Sequence, residues 1–355
     1  MTAQCTETEF DTRLLAERAV QQVHAFHGDL VARMLLSEQD GDGALASRLR
    51  TEEPLYRCRD GSVALTDGTV AADVLRDTRF TSVPAEPGTA QYTLACVDEV
   101  IRAESGVVAP ESPSTQDEVN GAVSRVLRAR PSAELDLVTE VIRPVVADVL
   151  GDALDVPIVR RQRFQRLTEL AGRAMDASVC PPRLTDGYAL RDSLRELRDL
   201  CGAEAYAVAV LGAEMAVNLA TNAALGMLRD LPAADDLTTL VPRLLFQDPP
   251  VRLHRLFTRE PVDLAGQRIE AGTRVLILNG AVRRERSGAQ ATALTVAAHP
   301  RLAPMAIGIA IVVGAALRGH LGRLRLIGGP ARRLRAPVTR AIVRLPVSVT
   351  DREAR

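Results

Sequence analysis

Glu214 stands inside AEAYAVAVLGAEMAVNLATNAALGMLR, residues 203–229, a run that is apolar almost all round and free of proline. A carboxyl group in such a helix is buried on most sides. Burial raises a carboxyl pKa, so Glu214 can serve as a proton donor, or else it is held by a local hydrogen bond. His24 and His27, at i and i+3, face one side of a helix as a metal pair would. No third ligand stands at a clear spacing, so two solvent-facing histidines are expected. Arg160, Arg161, Arg163 and Arg166 form a basic run that suits a phosphate, an acidic partner or simply the solvated face of a helix. Gly328-Gly329-Pro330 is read as a turn and not a phosphate loop, because no helix start follows it.

Composition removes other chemistries. All 44 basic residues are arginine, which excludes a lysine Schiff base and a Walker-type lysine loop. The net charge of −1 carries no footprint of a nucleic-acid or anionic-membrane partner. Five cysteines, at positions 5, 58, 96, 180 and 201, lack paired spacing and argue for a reducing, cytoplasmic setting without a disulfide scaffold. The opening MTAQCTETEFDTR is polar and acidic, so no signal peptide is expected. The longest apolar run, 305–317, is short of the ~20 residues a membrane span needs and reads as part of a core helix over 302–318.

With 355 residues the chain is long enough for one large domain or two ordinary ones. Mainly α with small segregated sheets, and without repeats or a flexible linker, it is expected as a single domain over 1–355. Phe10, Leu14, Val20, Val23, Leu30 and Leu35 mark a helical arm over 1–37, divided at Gly28-Asp29. Residues 62–82 read as strand, turn at Asp67-Gly68, and helix to about Asp77. Residues 83–117 are loop-rich around one helix near 91–103. Helices are expected over 117–129, 134–150 and 157–176, and a central buried helix over 203–229. VDLAGQRIEAGTRVLILNGAV, 262–282, reads as a hairpin turning at Glu270-Ala271-Gly272. RLRLIGG and RAIVRLPVSV form a further strand pair.

This order of elements resembles the cytochrome P-450 fold. EPLYRCRDGSVALTDGTVAADVLRDTRFTS is similar to that family's first sheet and following helix, and ELDLVTEVIRPVVADVLGDALDVP to its DLV-helix-GVP stretch. The resemblance implies where working residues belong, and most are missing. Its oxygen-activating helix carries an acid followed by Thr; here the segment is Leu211-Gly212-Ala213-Glu214-Met215-Ala216, so the hydroxyl is replaced by Met215. Its ExxR ion pair falls, by register from Pro249-Pro250, on Arg243 and Phe246, in RLLF. Losing both partners together avoids an unpaired buried charge. The haem thiolate would fall near Ala297, before the helix beginning RLAPMAIGIAI, but no cysteine follows Cys201. The stretch from Val282 to Leu302 is short for the usual ligand loop. His299 is the one nearby alternative ligand and is expected at the surface.

A narrower resemblance, through HAFHGDLVARMLLSEQDGDGALASRLRTEEPLY, is to the haem-free P-450-like auxiliary proteins of antibiotic gene clusters. Gly28-Asp29 of their GDPY-like motif is kept and Leu30 replaces its proline. The resemblance implies a non-catalytic protein, without catalytic, cofactor or metal site, that binds, stabilises and activates a deoxysugar glycosyltransferase acting on a polyketide-type aglycone. The alternative is a haem-independent isomerase or cyclase with Glu214 as acid. Met215 and Phe246 are expected to fill the old haem space. The expected docking surfaces are Phe10–Leu36 and the helix 117–129, and the fold is expected to survive deletion of residues 1–27.

Overall fold

The computed structural model describes residues 7–36, 42–51, 55–85, 94–107, 116–129, 134–229, 237–279 and 294–350. Much of the expected loop region 83–117 lies outside them, as do residues 280–293 and the end of the expected hairpin.

The described residues hold the following main α-helices in chain order. They are α1 (Glu7–Phe26), α2 (Leu30–Leu36), α3 (Asp42–Thr51), α4 (Gly68–Arg76), α5 (Ala95–Glu104) and α6 (Gln116–Arg128), then α7 (Arg143–Ala153), α8 (Arg161–Ala171), α9 (Ala174–Ala177), α10 (Leu184–Ala207), α11 (Ala213–Arg229), α12 (Leu237–Gln247) and α13 (Leu302–Arg318). Strands β1 (Leu55–Arg57), β2 (Val63–Leu65), β8 (Arg274–Ile277), β5 (His254–Thr258) and β3 (Phe80–Thr81) form the largest sheet in that order, antiparallel except for β2 beside β8. β4 (Glu134–Asp136), β12 (Pro346–Val349) and β9 (Leu324–Leu326) form a second sheet. β6 (Val262–Leu264) pairs with β7 (Gln267–Ile269), and β10 (Ala331–Arg332) with β11 (Ile342–Arg344). The molecule is mainly helical with small separate sheets, as expected.

Gly28 has φ +91, and Asp29 caps α2 by accepting from the Ala32 amide at 2.7 Å and the Arg59 amide at 2.6 Å. The Leu30 amide donates to the Tyr56 hydroxyl at 3.0 Å, a bond that proline at this position would forfeit. α1 packs its Phe10 and Leu14 against Gly187 of α10, where an added Cβ would lie 2.8 Å from a Leu14 methyl. Two side-chain bonds fasten α1 to the segment before α10: Gln21 Nε2 to the Val179 carbonyl at 2.9 Å and Arg18 Nη1 to the Pro181 carbonyl at 3.1 Å.

The central helix begins where Gly202, at φ +79 and ψ 165, interrupts α10. A π-helical turn at Val208–Gly212 leads into α11, whose residues Ala213–Leu225 are all buried. The joined helices Leu184–Arg229 are long and apolar enough to cross a membrane by composition, yet their apolar window is mostly buried inside the protein, as in a core helix. α11 and α13 form the most extensive helix pair.

Three expectations need correction. The hairpin over 262–282 is shorter: it turns at Ala265-Gly266, both with positive φ as a tight antiparallel turn requires, and ends at Ile269. After Gly272, itself at φ +78, β8 joins the five-stranded sheet instead, where its four residues are all buried. Residues 134–136 are strand, because β12 offers them a ladder, and Asp136 Oδ1 then accepts from the Val138 amide to start the next helix. That helix opens with a π-helical turn, Val138–Ile142, before α7. The expected helix 157–176 is broken at Gly172-Arg173 into α8 and α9.

Candidate functional site

Four charged side chains meet at the start of α11. Glu214 is 1 % exposed and pairs with Arg143 Nη1 at 3.1 Å and Arg333 Nη1 at 2.9 Å. Arg333, which follows β10, also approaches Asp176 of α9 at 3.6 Å and donates to the Gly172 carbonyl at 2.9 Å. Asp176 accepts from the Val338 and Thr339 amides, both at 2.9 Å, and from the Thr339 hydroxyl at 2.8 Å. Gly172 is required by the close approach of the Glu214 carboxylate, which a Cβ there would strike. Each π-helical turn ends within two residues of a cluster member, Arg143 or Glu214.

Burial pushes the Glu214 carboxyl up, but Arg143 and Arg333 outweigh it and hold the group below its ordinary value. Glu214 is therefore a carboxylate at neutral pH. Its expected role as proton donor in an isomerase or cyclase is overturned, and its partners are distant in sequence rather than local. Burial raises Asp176 to about 6, against the opposing Arg333 charge.

The fit of a haem group is tested by what lies between the central helix and α13. A Cβ on Gly212 would stand 2.6 Å from Met305 Cε and 3.6 Å from Leu302 Cδ2, so α13 side chains rest directly on the glycine surface. Met215 is 1 % exposed. Residues 294–298 are helical, and Ala297 brings no donor atom to the ligand position. The residues present do not fit a thiolate-bound haem. Phe246 lies on α12 with its side chain outside the described residues, and Arg243 is exposed on the same helix.

A cavity of about 230 Å³ remains nearby, lined in part by Leu211, His254, Arg255 and His299. Ligand pockets are usually roughly 300–1,000 Å³, and this one is smaller. Arg255 pairs with Asp98 at 2.7 Å and donates to the Ser178 carbonyl at 3.0 Å, while its Nε and His299 Nε2 are buried without a hydrogen-bond partner among the described residues. His299 is mostly buried, correcting its expected surface position, because Nδ1 meets the Glu104 carboxylate at 2.7 Å. Burial alone pushes His299 down, but Glu104 reverses the direction and raises it. His254 is driven well below its ordinary value by burial and then by His299.

The remaining sequence candidates do not converge. His27 is exposed and His24 partly so, and no metal-binding group occurs among the described residues. Arg161 is spent on the Val156 and Asp148 carbonyls and on Asp152, and Arg163 pairs with Glu196 across to α10. Gly328-Gly329-Pro330 is an irregular link with a bend at Gly328 between β9 and β10, and no helix starts after it. Sequence reading missed Arg143, Arg333, Asp176, Asp98 and Arg255. One signal was present in IRPVVADV, where Arg143 is the lone cation of an apolar helix start.

Fold and site together define a cytochrome P-450 fold without a haem-ligating cysteine. The solved structures agree on the fold: epothilone B-bound cytochrome P450epoK has a TM-score of 0.67 at 18 % identity, covering 87 % of this chain and 96 % of its own. Ligand-free CYP164A2 of Mycobacterium smegmatis has a TM-score of 0.67 at 20 % identity, covering 90 % and 99 %. No family model matches the sequence. The chain is similar over nearly its whole length to protein DesVIII of Streptomyces venezuelae, 28 % identical with 96 % of this chain and 94 % of that protein covered. Protein AknT of Streptomyces galilaeus is 25 % identical, covering 98 % and 97 %, and protein TylM3 of Streptomyces fradiae is 28 % identical, covering 95 % and 92 %.

Proposed function

We propose that this chain is a non-catalytic auxiliary protein that binds, stabilises and activates a glycosyltransferase of antibiotic biosynthesis, one that attaches a deoxysugar to a polyketide-type aglycone. The observation that carries the reading is the state of the old oxygen-activating segment: its acid is locked between two buried arginines, its threonine is Met215, and α13 rests on Gly212. The full-length likeness to DesVIII, AknT and TylM3 supports it, as does the auxiliary-protein resemblance of the stretch around Gly28-Asp29. A protein without chemistry acts through its surface. Binding only the active conformation of the transferase shifts that enzyme's population by mass action.

The docking face we assign is the outer side of α1. Leu15, Val20, Val23 and Phe26 are 53 %, 40 %, 51 % and 84 % exposed, and with Ala16 and Ala19 they make one apolar strip along the helix. α6 is the weaker alternative, because its apolar residues Val119, Val123 and Leu127 are buried and its exposed positions include Asp117, Glu118, Arg125 and Arg128. A stable pairing buries about 1,200 Å² or more, so α1 would supply the apolar centre and neighbouring polar surface the rim.

Deleting residues 1–27 would confound docking with folding, since Phe10, Leu14 and Gln21 of α1 are buried against the body. Substitution of the outer strip is cleaner. Val23→Glu with Phe26→Glu should leave the melting temperature of the isolated protein unchanged. The same variant should fail to co-purify with the co-expressed transferase or to raise its activity. Normal binding and activation by this folded variant would remove α1 from the interface.

A further inference from the structure

A second cleft, distinct from the old haem space, opens between α8, α9, the start of α10 and the segment around β10. It holds about 460 Å³ and is lined by six arginines, Arg143, Arg173, Arg183, Arg332, Arg333 and Arg335. Only three carboxylates line it with them: Glu169, Asp176 and Asp186. In a chain with a net charge of −1 this is a strong local excess of cations.

Most of these arginines are neutralised. Arg143 and Arg333 hold Glu214, Arg173 pairs with Asp186 at 3.1 Å, and Arg332 pairs with Asp248 at 3.2 Å. Two are not. Arg183 is exposed and makes no ion pair among the described residues. Among the described residues Arg335 makes no ion pair; its Nη2 donates to the Cys180 sulfur at 3.6 Å, and its Nε and Arg143 Nη2 are buried with no hydrogen-bond partner. A buried N–H without a partner is unfavourable, so these donors offer themselves to an acceptor that a ligand would supply.

The neighbourhood shows the same excess. Burial, then the Arg335 and Arg183 charges, lower the Arg18 guanidinium from its ordinary value. Arg18 stands at the edge of this cluster through its bond to the Pro181 carbonyl. Guanidinium forks match phosphate oxygens in pairs. The rim is apolar on one side, where Leu170 and Leu334 are 39 % and 54 % exposed.

We propose that this cleft binds a small molecule carrying a phosphate or pyrophosphate group between Arg183 and Arg335, with the rest of the molecule against Leu170 and Leu334. Its volume falls within the roughly 300–1,000 Å³ of ordinary ligand pockets.

Calorimetric titration of the full chain with pyrophosphate at low ionic strength tests the proposal. One saturable site per chain is expected, weaker with orthophosphate and weakening as salt is raised. Arg183→Gln with Arg335→Gln should reduce affinity roughly ten-fold or more while the far-ultraviolet circular dichroism and melting temperature are kept. Arg183→Gln alone alters an exposed side chain and serves if the double variant does not fold. Absence of saturable binding, or unchanged affinity in a folded variant, overturns the site. The assay uses the isolated protein, so its failure leaves the glycosyltransferase reading untouched.

Discussion

Glu214 shows how a buried carboxylate is held by charges from distant parts of the chain. Its charge is kept because two guanidiniums surround it, and the contacts run as a chain from Arg143 through Glu214 and Arg333 to Asp176. Replacing one partner leaves a buried charge without compensation, at a cost of ~3–5 kcal/mol. Glu214→Gln should therefore destabilise the protein by about that amount in urea titration, and Gly172→Ala should also destabilise it, by forcing the carboxylate aside. A Glu214→Gln variant with wild-type stability would show that the ion cluster holds nothing together. The histidine pair gives a test by pH. His299 is raised by Glu104, so its pairing stabilises the fold below the ordinary histidine range and is lost as pH rises through the folded value. His254 is lowered, so it stays neutral over the same range. Proton-detected titration should show the His299 ring titrating above the ordinary histidine range, a shift that disappears in Glu104→Gln, and the His254 ring not titrating near neutrality.

Between the elements, the packing of α11 on α13 decides what the fold can hold. Met215 is enclosed, and Met305 reaches over Gly212. Met215→Ala should cost ~2–5 kcal/mol, as other large-to-small core changes do, read from the shift in denaturation midpoint. The boundaries of the central helix were legible because Gly202 has to break the run before it. So was the division at Gly28-Asp29, where a positive-φ glycine precedes a capping aspartate. The 262–282 region misled because glycines at 266 and 272 both mark turns, and only the pairing of β8 with β2 tells which one closes the hairpin. The ion cluster was invisible for a similar reason. Glu214 meets Arg143 from 71 residues away and Arg333 from much further along the chain, and no periodicity announces such a meeting.

For the whole molecule, the lost thiolate makes a direct prediction. The purified protein should show no Soret band, and the reduced protein with carbon monoxide should show no thiolate-type absorption. Stoichiometric co-purifying haem would overturn the account of the packed interface between α11 and α13. The departures from the P-450 pattern were readable at single positions, Met215 and Ala297 above all, because a missing functional group is a fact of sequence. The way α13 rests on Gly212 was not, because it depends on the distance between two helices.

The anchoring of α1 has one more consequence. Gln21 and Arg18 tie this helix to the carbonyls of Val179 and Pro181, and the same short strap carries Cys180, Pro182 and Arg183 into the arginine cleft. A protein seated on the outer face of α1 and an anion seated in the cleft would thus pull on one piece of backbone from its two sides. Linkage then runs in both directions: whatever factor the anion applies to the affinity of the protein partner, the partner must apply to the affinity of the anion. Measuring pyrophosphate binding with and without the transferase would read that factor from one side, and the transferase affinity with and without pyrophosphate would have to return the same number.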